Sequence, residues 1–543
     1  MKRAATRGHL SLAGILALVA IFGVSLTAAS ANSGGKQSAS ANAASTKPFN
    51  YAGRRPTTFL PANFADPPLN RILFVGLTRM DAKTNKPVNA LAASVTPSPN
   101  NRVWTVRLKK GWTFSNGELI TASTFANSWN FNAYAPNGQG GAGLLNIIQG
   151  YEKLTPPSGK PTATKLSGLS VVNSRTLRIR LNRPFTLFRY LLATEPYMPL
   201  PKPALRDPKK WETNPIGNGP YRLVGRFSPS ATTLNFARWK GYKGLQGKAD
   251  RIVYKVFIDW GGNTVYNAVR SGSVDVAFLS GQALADAIRT MPQQVQRFNS
   301  NAVLYLGFPT WDERFKSKSV RQAFSLAIDR AAIVRSLASG IGAAANGLVP
   351  PSVTGGGTRS CSVCTYNPSR AKTLLAQGGG WKGPLTLWTY SEDPINTQVI
   401  QAIANQWRTN LGIDEVKLQS IPVAQLYPKL FAKEVDGPVF LYQGGSYPHM
   451  YSVAQQLITK GGIGNVVAYS SPEVERLMAR AGAARSEQQT LALTQQAVRA
   501  ALDDAQIMPV FWPGAGLIRS TKVTGVRPAP PYGNADLEVI SVK

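Results

Sequence analysis

The chain has 543 residues, which exceeds the size of one ordinary hydrophobic core and predicts two or three lobes. Hydrophobic residues make up 43% of the sequence and charged residues 16%, a composition that excludes an intrinsically disordered protein. The formal net charge of +34 would indicate a nucleic-acid partner inside a cell, but the Lys and Arg residues are scattered and form only doublets such as Lys109-Lys110 and Lys209-Lys210.

The first 31 residues are typical of a secretory signal peptide. Basic residues precede an almost wholly apolar run at positions 10–24. Ala29-Ser30-Ala31 then provides the small-x-small pattern of a cleavage site, which predicts a mature chain that begins at Asn32. A membrane anchor is the alternative, but the apolar run is short for a bilayer and small polar residues follow it. The pattern therefore predicts export.

Two further expectations concern the mature N-terminus. No Cys stands beside the cleavage site, so we expect an exported protein, periplasmic or extracellular and associated with the cell envelope, without a lipid anchor. Residues 32–50 begin with a stretch rich in Ser, Ala, Asn and Gly and are predicted to form a flexible leader.

Most of the positive charge lies in the mature chain. The signal segment holds three basic and no acidic residues, so its removal leaves +31. One interpretation is attraction to anionic envelope polymers or lipid head groups, because unlike charges attract over about a Debye length. The other is that the charge serves solubility alone. Both remain open at this point.

The N-terminal half contains strand and helix patterns that alternate. In residues 103–108, Trp104, Val106 and Leu108 share one face, which predicts a half-buried strand. Thr121 then caps a predicted helix, and residues 176–181 alternate again. A strand at 252–258, a helix at 263–270 and a strand at 274–278 follow. This β-α-β order predicts an α/β layer with parallel pairing.

The C-terminal half repeats the same order of elements. Apolar residues at helical spacing occupy positions 320–328 and again 399–411, and Gly412 stands where the second helix would end. Strands are predicted on both sides of that second helix, at 385–390 and at 416–421.

Cys361 and Cys364 are the two cysteines of the chain. In an oxidising compartment, a local disulfide is the default for such a pair, and a redox or metal role is the alternative. A metal would need further ligands, and the sequence offers only His9, which lies in the signal, and His449. We therefore predict a disulfide, no metal and no cofactor.

Five segments in order resemble the peptide-, dipeptide- and nickel-binding family of ABC-importer proteins, solute-binding family 5. They are 104–117 with 120–122, 215–221, 319–324 with 327–330, 366–368 with 371–375, and 508–510. The resemblance extends from about residue 55 to the end of the chain.

The resemblance implies an α/β fold of the periplasmic-binding-protein type II, a clamshell with an extra inserted lobe. The implied segments are lobe I at 51–75, 166–290 and 512–543, the inserted lobe II at 76–165, and lobe III at 291–511. It also implies a monomer that captures a peptide or small organic ligand by hinge closure and delivers it to an ABC permease in the membrane. No nucleic-acid partner is expected.

Family members that bind oligopeptides carry a loop whose Asp pairs with the ligand's amino terminus. The loop corresponds here to 442–449, with Gln443 at the place of a Trp, Ser446 at the place of the Asp, and Tyr447 retained. Losing that carboxylate removes a charge-assisted partner for an ammonium group. Either Glu392 or Asp393 replaces it, or the ligand has no amine. The predicted ligand-binding residues are Tyr134, Tyr390, Glu392, Gln443, Gly444, Ser446, Tyr447 and His449.

Each of these residues also has a plainer interpretation. A Tyr near a strand end packs in a core at least as often as it meets a ligand, and a histidine such as His449 is more often a surface or hydrogen-bonded residue than a ligand contact. Gly444 would serve as a bend.

The sequence favours a binding protein over an enzyme. Beyond the signal it holds one histidine, and it contains neither a phosphate-binding loop nor a His-Glu-x-x-His motif. Two alternatives to import use the same fold: a sensor of a peptide signal, and a basic envelope-associated binding protein. A non-peptide ligand is a further alternative.

Overall fold

A computed structural model describes residues 47–64, 66–337, 341–358 and 361–543. The predicted signal peptide and most of the predicted leader lie outside these residues. The last two residues of that leader, Phe49 and Asn50, already belong to the first strand.

The strands, numbered along the chain, are β1 (Phe49–Gly53), β2 (Thr78–Met80), β3 (Pro87–Asn89), β4 (Ala92–Pro97), β5 (Val103–Leu108), β6 (Leu169–Asn173), β7 (Thr176–Arg180), β8 (Tyr221–Val224), β9 (Thr233–Arg238), β10 (Arg251–Val256), β11 (Val276–Leu279), β12 (Val295–Asn299), β13 (Ala302–Gly307), β14 (Gly342–Ala344), β15 (Leu385–Tyr390), β16 (Val416–Ile421), β17 (Val439–Gly444), β18 (Ile507–Arg519), β19 (Val523–Thr524), β20 (Pro528–Ala529), β21 (Asn534–Ala535) and β22 (Ser541–Val542).

The α-helices are α1 (Pro67–Leu73), α2 (Ala122–Ala133), α3 (Tyr151–Leu154), α4 (Phe188–Leu191), α5 (Lys202–Arg206), α6 (Pro208–Glu212), α7 (Asn263–Arg270), α8 (Gly281–Thr290), α9 (Lys318–Leu326), α10 (Arg330–Leu337), α11 (Pro368–Gln377), α12 (Pro394–Leu411), α13 (Val423–Ala432), α14 (Met450–Ile458), α15 (Pro472–Gly482) and α16 (Glu487–Asp504).

One large sheet runs through the molecule in the order β16-β15-β17-β13-β18-β11-β1-β10-β9-β8, and β12 and β14 also pair with β18. Strands β10 and β11 lie parallel on either side of β1. Strand β15 is parallel to β16 and β17. The predicted parallel β-α-β pairing is therefore confirmed. We call β1 and β8–β12 the first half and β13–β17 the second half.

Strand β18 joins the two halves. Its residues 507–511 pair with β13 of the second half, and its residues 516–519 pair with β11 of the first half. Between these two sets of partners, Gly514 leaves room for a close neighbour: a Cβ there would lie 2.7 Å from the backbone nitrogen of Gly342. The single strand therefore provides continuous backbone hydrogen bonding from one half to the other.

A separate antiparallel sheet has the order β4-β5-β7-β6. The predicted alternation in β5 is confirmed, because Trp104, Val106 and Leu108 are buried. Helix α2 packs against β6 and β7 and begins at Thr121, whose side chain forms a reciprocal capping pair with Thr124. Two strands of this sheet lie beyond residue 165, the predicted end of the inserted lobe. The predicted boundary would therefore divide this sheet. Local sequence does not show that β5 pairs with β7, because a long connection separates the two strands.

Hydrophobic burial follows the same division. One cluster of buried side chains extends from the small sheet into the second half, and two others lie in the first half. The predicted helical segments near 320 and 400 lie in α9 and α12, and Gly412 ends α12 with a φ of +71°, a conformation that favours glycine. The predicted disulfide between Cys361 and Cys364 is present, with 5.4 Å between the Cα atoms.

Candidate functional site

A cavity of about 620 Å³ lies where the two halves meet. Segments distant in sequence line it: the end of β1, the loop at 138–140 beyond α2, the end of β11, and the ends of β15 and β17. Strand β18 and the segment that contains Tyr532 complete the walls. Both halves therefore contribute to one shared cavity, which is the arrangement that a ligand-dependent closure needs.

Eight aromatic side chains line the cavity. They are Phe64, Trp260, Phe278, Phe298, Tyr390, Tyr442, Phe511 and Tyr532. The ring of Trp260 stacks on Phe278 with a centroid distance of 4.3 Å and an interplanar angle of 3°, and Phe298 lies 6.3 Å from Phe278. This stack forms an apolar wall on the first half. Such a wall suits apolar or aromatic ligand groups of varied shape.

Arg54 is fixed beside that wall. Its guanidinium carbon lies 4.9 Å from the ring centroid of Trp260, within the range of a cation–π contact. The hydroxyl of Tyr254, which has one proton to donate, lies 2.7 Å from the Arg54 carbonyl oxygen and 2.8 Å from a carboxylate oxygen of Asp66. Burial raises the pKa of Asp66, and the neighbouring Arg54 acts in the opposite direction. A positive group is thus held at this edge of the cavity.

The charged side chains that line the cavity, among the described residues, are Arg54, Arg55 and Asp393. Asp393 lies on the second half and caps α12, since its Oδ1 accepts from the backbone N–H of Ile395 at 3.2 Å. Burial raises the pKa of its carboxyl group. The cavity therefore presents two cations from the first half and one acid from the second.

Two tyrosines reach the cavity from the second half. Tyr390 ends β15, and Tyr442 lies in β17. Burial raises the pKa of both hydroxyl groups, so both stay protonated at neutral pH and can donate hydrogen bonds. Of the eight residues predicted to bind ligand, Tyr390 is the one that lines this cavity.

Glu392 has a structural partner. Its carboxylate accepts from the backbone N–H of Val423 at 2.9 and 3.1 Å, at the start of α13. This leaves Asp393, the other acid considered from the sequence, as the carboxylate that faces the cavity.

Gln443 and Gly444 end β17, and Ser446 lies in the connection from β17 to α14. Gly444 pairs with Ala302 in the sheet, and the Gln443 side chain donates to the Gly444 carbonyl at 2.8 Å. The Ser446 hydroxyl lies 2.9 Å from the side-chain amide of Gln456, which also contacts Gln443. These polar groups bond to each other, and none of the three lines the cavity.

Tyr447 and His449 lie where the small-sheet region meets the second half. Both are buried, and their rings lie 5.5 and 5.3 Å from the ring of Tyr190. The Tyr190 hydroxyl in turn donates to Glu487 at 2.9 Å. Burial lowers the pKa of His449 to about 3, so it is neutral at physiological pH, and its Nδ1 accepts from the Tyr451 N–H at 3.1 Å. This environment matches the structural interpretation of the histidine.

Tyr134 ends helix α2 and packs, partly buried, against the core of the small-sheet region. The residues that reach the cavity from this region are its neighbours Gly138 and Gly140.

Sequence reasoning missed Arg54, Trp260, Tyr442 and Tyr532. One usable signal was present: Trp260 stands directly before Gly261-Gly262, in a loop between a strand and a helix, where a large aromatic residue is unusual. The others carry no local pattern, because only the meeting of the two halves places them together.

The described part of the chain contains no group of three His, Cys, Asp or Glu side chains placed to hold a metal ion. None of its helices combines the length and apolar character that crossing a membrane requires.

Comparison with known proteins places these features in a family. Residues 86–465 match the model described as bacterial extracellular solute-binding proteins, family 5. The chain is 25% identical over 502 residues to the dipeptide-binding protein DppE of Bacillus subtilis, covering 89% of each, and 24% identical to the oligopeptide-binding protein OppA of the same organism, covering 84% of this chain and 85% of that protein.

Solved structures share the fold. The murein tripeptide-binding protein MppA of Escherichia coli superposes with a TM-score of 0.76 at 21% identity and covers 92% of this chain and 99% of its own. An oligopeptide-binding protein of clavulanic acid biosynthesis gives a TM-score of 0.79 at 19% identity, covering 91% and 95%. The predicted type II clamshell with an extra lobe is thereby confirmed as the fold class.

Proposed function

We propose a function from one premise: the chain belongs to family 5 of the bacterial extracellular solute-binding proteins. The protein is the capture subunit of an ABC importer, and it encloses a peptide or peptide-like solute between its two halves. In the same proposal it is exported, acts as a monomer, delivers its ligand to a membrane permease and leaves that ligand chemically unchanged.

The cavity between the halves is the observation that carries this proposal. Its volume of about 620 Å³ lies within the 300–1,000 Å³ typical of sites for small organic ligands. Because its walls come from both halves, a ligand makes its full set of contacts only when the halves are together. Binding then shifts an existing open–closed equilibrium toward the closed form.

The charged side chains of the cavity determine which end of the ligand faces each half. Arg54 and Arg55 on the first half suit a carboxylate, and Asp393 on the second half suits an ammonium group. A zwitterionic ligand that spans the cavity would contact both halves through opposite ends, which links recognition to closure. The aromatic wall of Trp260 and Phe278 between them accepts side chains of varied shape.

The small sheet supports a larger inserted lobe than the sequence predicted. Its strands continue to residue 180, and the Trp129 side chain of α2 donates to the Tyr197 carbonyl at 3.0 Å. The proposed inserted lobe therefore runs from about residue 76 to about residue 200. The proposed change from lobe III back to lobe I lies within β18, where the strand changes partners.

The test is a thermal-shift screen of the mature protein against di-, tri- and tetrapeptides, sugars and free amino acids. A ligand that binds only the folded state raises Tm by an amount that grows with the logarithm of its concentration relative to Kd. Peptides are expected to raise Tm, and an Arg54→Ala variant is expected to reduce that shift. A shift with sugars alone, or none with any class at millimolar concentration, would contradict the proposal.

A further inference from the structure

The outward face of the small sheet is strongly cationic. Strands β5 and β7 alternate so that their apolar residues, such as Val106 and Ile179, turn inward and are buried. The opposite face exposes Arg107, Arg178 and Arg180. We call these three residues the arginine face.

The three arginines lie close together. Arg178 and Arg180 stand two residues apart on β7, so their side chains share a face at a spacing of about 6.6 Å. Arg107 is paired with Thr176 on the neighbouring strand, which makes it a diagonal neighbour of Arg178. Like charges at such positions repel one another, so the face is electrostatically unfavourable without a partner.

No acid within the sheet offsets this charge. The residues opposite Arg178 are Thr105 on β5 and Ser170 on β6, and the sequences of the four strands contain neither Asp nor Glu. The imbalance extends to the surroundings: residues 82–194 hold fourteen Lys or Arg and two Glu. This stretch, about a fifth of the chain, therefore carries a net charge of +12 of the total +34.

Apolar side chains are exposed at the edge of the same sheet. Val171 and Val172 on edge strand β6 are 44% and 53% exposed. The sequence leaves polymers and lipid head groups equally open as partners for the positive charge. A sheet face with clustered arginines and a bordering apolar edge favours head groups, because phosphates bind the guanidinium groups while valines enter the interfacial layer.

We propose that the arginine face docks the protein on a membrane surface rich in anionic phospholipids. Each basic residue at such a surface strengthens binding about fivefold at moderate salt. The three arginines together then contribute about 100-fold. The proposal is independent of the ligand cavity, since these residues lie in the small sheet and outside its lining.

Vesicle co-sedimentation of the mature protein tests this. Vesicles of phosphatidylcholine with about 30% phosphatidylglycerol are compared with pure phosphatidylcholine, at low salt and at about 0.5 M NaCl. The triple variant R107E/R178E/R180E is compared with R222E/R251E/R226E, which removes the same charge from exposed arginines of the first half. A second variant, R107Q/R178Q/R180Q, changes the same face more mildly, and circular dichroism melting checks the fold of each.

The expected result is binding to the anionic vesicles alone, released by salt. The Gln variant, which removes the three charges, should bind about 100-fold more weakly than wild type, and R107E/R178E/R180E, which reverses them, more weakly still. The control variant should lose much less. If R107E/R178E/R180E fails to fold, the Gln variant decides the question by the same comparison. Equal losses in the face and control variants would overturn the proposal, since net charge alone would then explain binding. Binding of soluble polyphosphate without binding of vesicles would overturn it in favour of a polymer.

Discussion

Replacing Asp393 with Asn separates the two roles of this carboxylate. As the N-cap of α12, its Oδ1 accepts from the Ile395 N–H at 3.2 Å, and Asn caps a helix about as well as Asp. The free energy of unfolding should therefore change by less than about 0.5 kcal/mol. As a cavity carboxylate, however, it would lose its charge and with it a hydrogen bond to a ligand ammonium.

The size of the expected loss follows from that bond. A hydrogen bond to a charged group contributes about 1.5–3 kcal/mol, so affinity for a peptide with a free amino terminus should fall about 10- to 150-fold. The same peptide with an acetylated amino terminus has no ammonium group, so wild type and variant should bind it equally. Isothermal titration calorimetry of both peptides measures the four affinities.

Glu392→Gln provides the matched control. It removes the negative charge of the neighbouring residue, whose carboxylate accepts from the Val423 N–H and lies outside the cavity. Its affinity for the free-amine peptide should match that of wild type. If Asp393→Asn binds this peptide as tightly as wild type, or if Glu392→Gln loses as much, the assignment of Asp393 to the ligand ammonium is wrong.

Three further predictions concern the aromatic wall, the disulfide and a buried acid. Trp260→Ala should weaken peptide binding about tenfold by calorimetry, because the ring that faces the cavity is lost. Trp381→Ala is the control: an arginine also lies over that ring, at 5.2 Å, but the ring is outside the cavity, so affinity should not change. Equal effects of the two substitutions would refute the role of the wall. Replacing Cys361 and Cys364 with Ser should lower the free energy of unfolding in urea by about 2 kcal/mol, since a short closed loop no longer restricts the unfolded chain, and an unchanged midpoint would contradict this. Burial raises the pKa of Glu195 to about 7 from an unfolded value near 4.5, so between these pH values the folded state binds a proton that the unfolded state has lost, and the free energy of unfolding falls as pH rises. In Glu195→Gln this fall should be smaller by about 3 kcal/mol. Parallel pH profiles of stability for wild type and variant would exclude this role of Glu195.

Local patterns predicted the elements of the fold well. Strand β5 forms at the predicted residues because its alternation of buried and exposed side chains needs no distant partner to be recognised. The same holds for the helix that Gly412 ends. The composition of the small sheet could not be predicted in this way, because β7 pairs with β5 across some sixty residues of chain and β6 joins the sheet only through β7.

The candidate site was less predictable than the fold. The loop at 442–449 was placed in the cleft by resemblance, and its first residue, Tyr442, does line the cavity. The remainder turns away, because Tyr447 and His449 are buried against Tyr190 of the small-sheet region. No pattern within the loop encodes that contact, since its partner lies more than 250 residues earlier. Arg54 and Trp260 meet for the same reason, through tertiary packing alone.

Ligand-dependent closure is tested most directly by measuring whether the two halves on either side of β18 approach each other when a ligand binds. Small-angle X-ray scattering of the mature protein, with and without a peptide whose binding calorimetry has established, measures the radius of gyration in both states. Hinge closure predicts a smaller radius with peptide bound, and a peptide-independent radius for a variant that no longer binds. An identical radius with the cavity saturated would contradict closure as the means of capture.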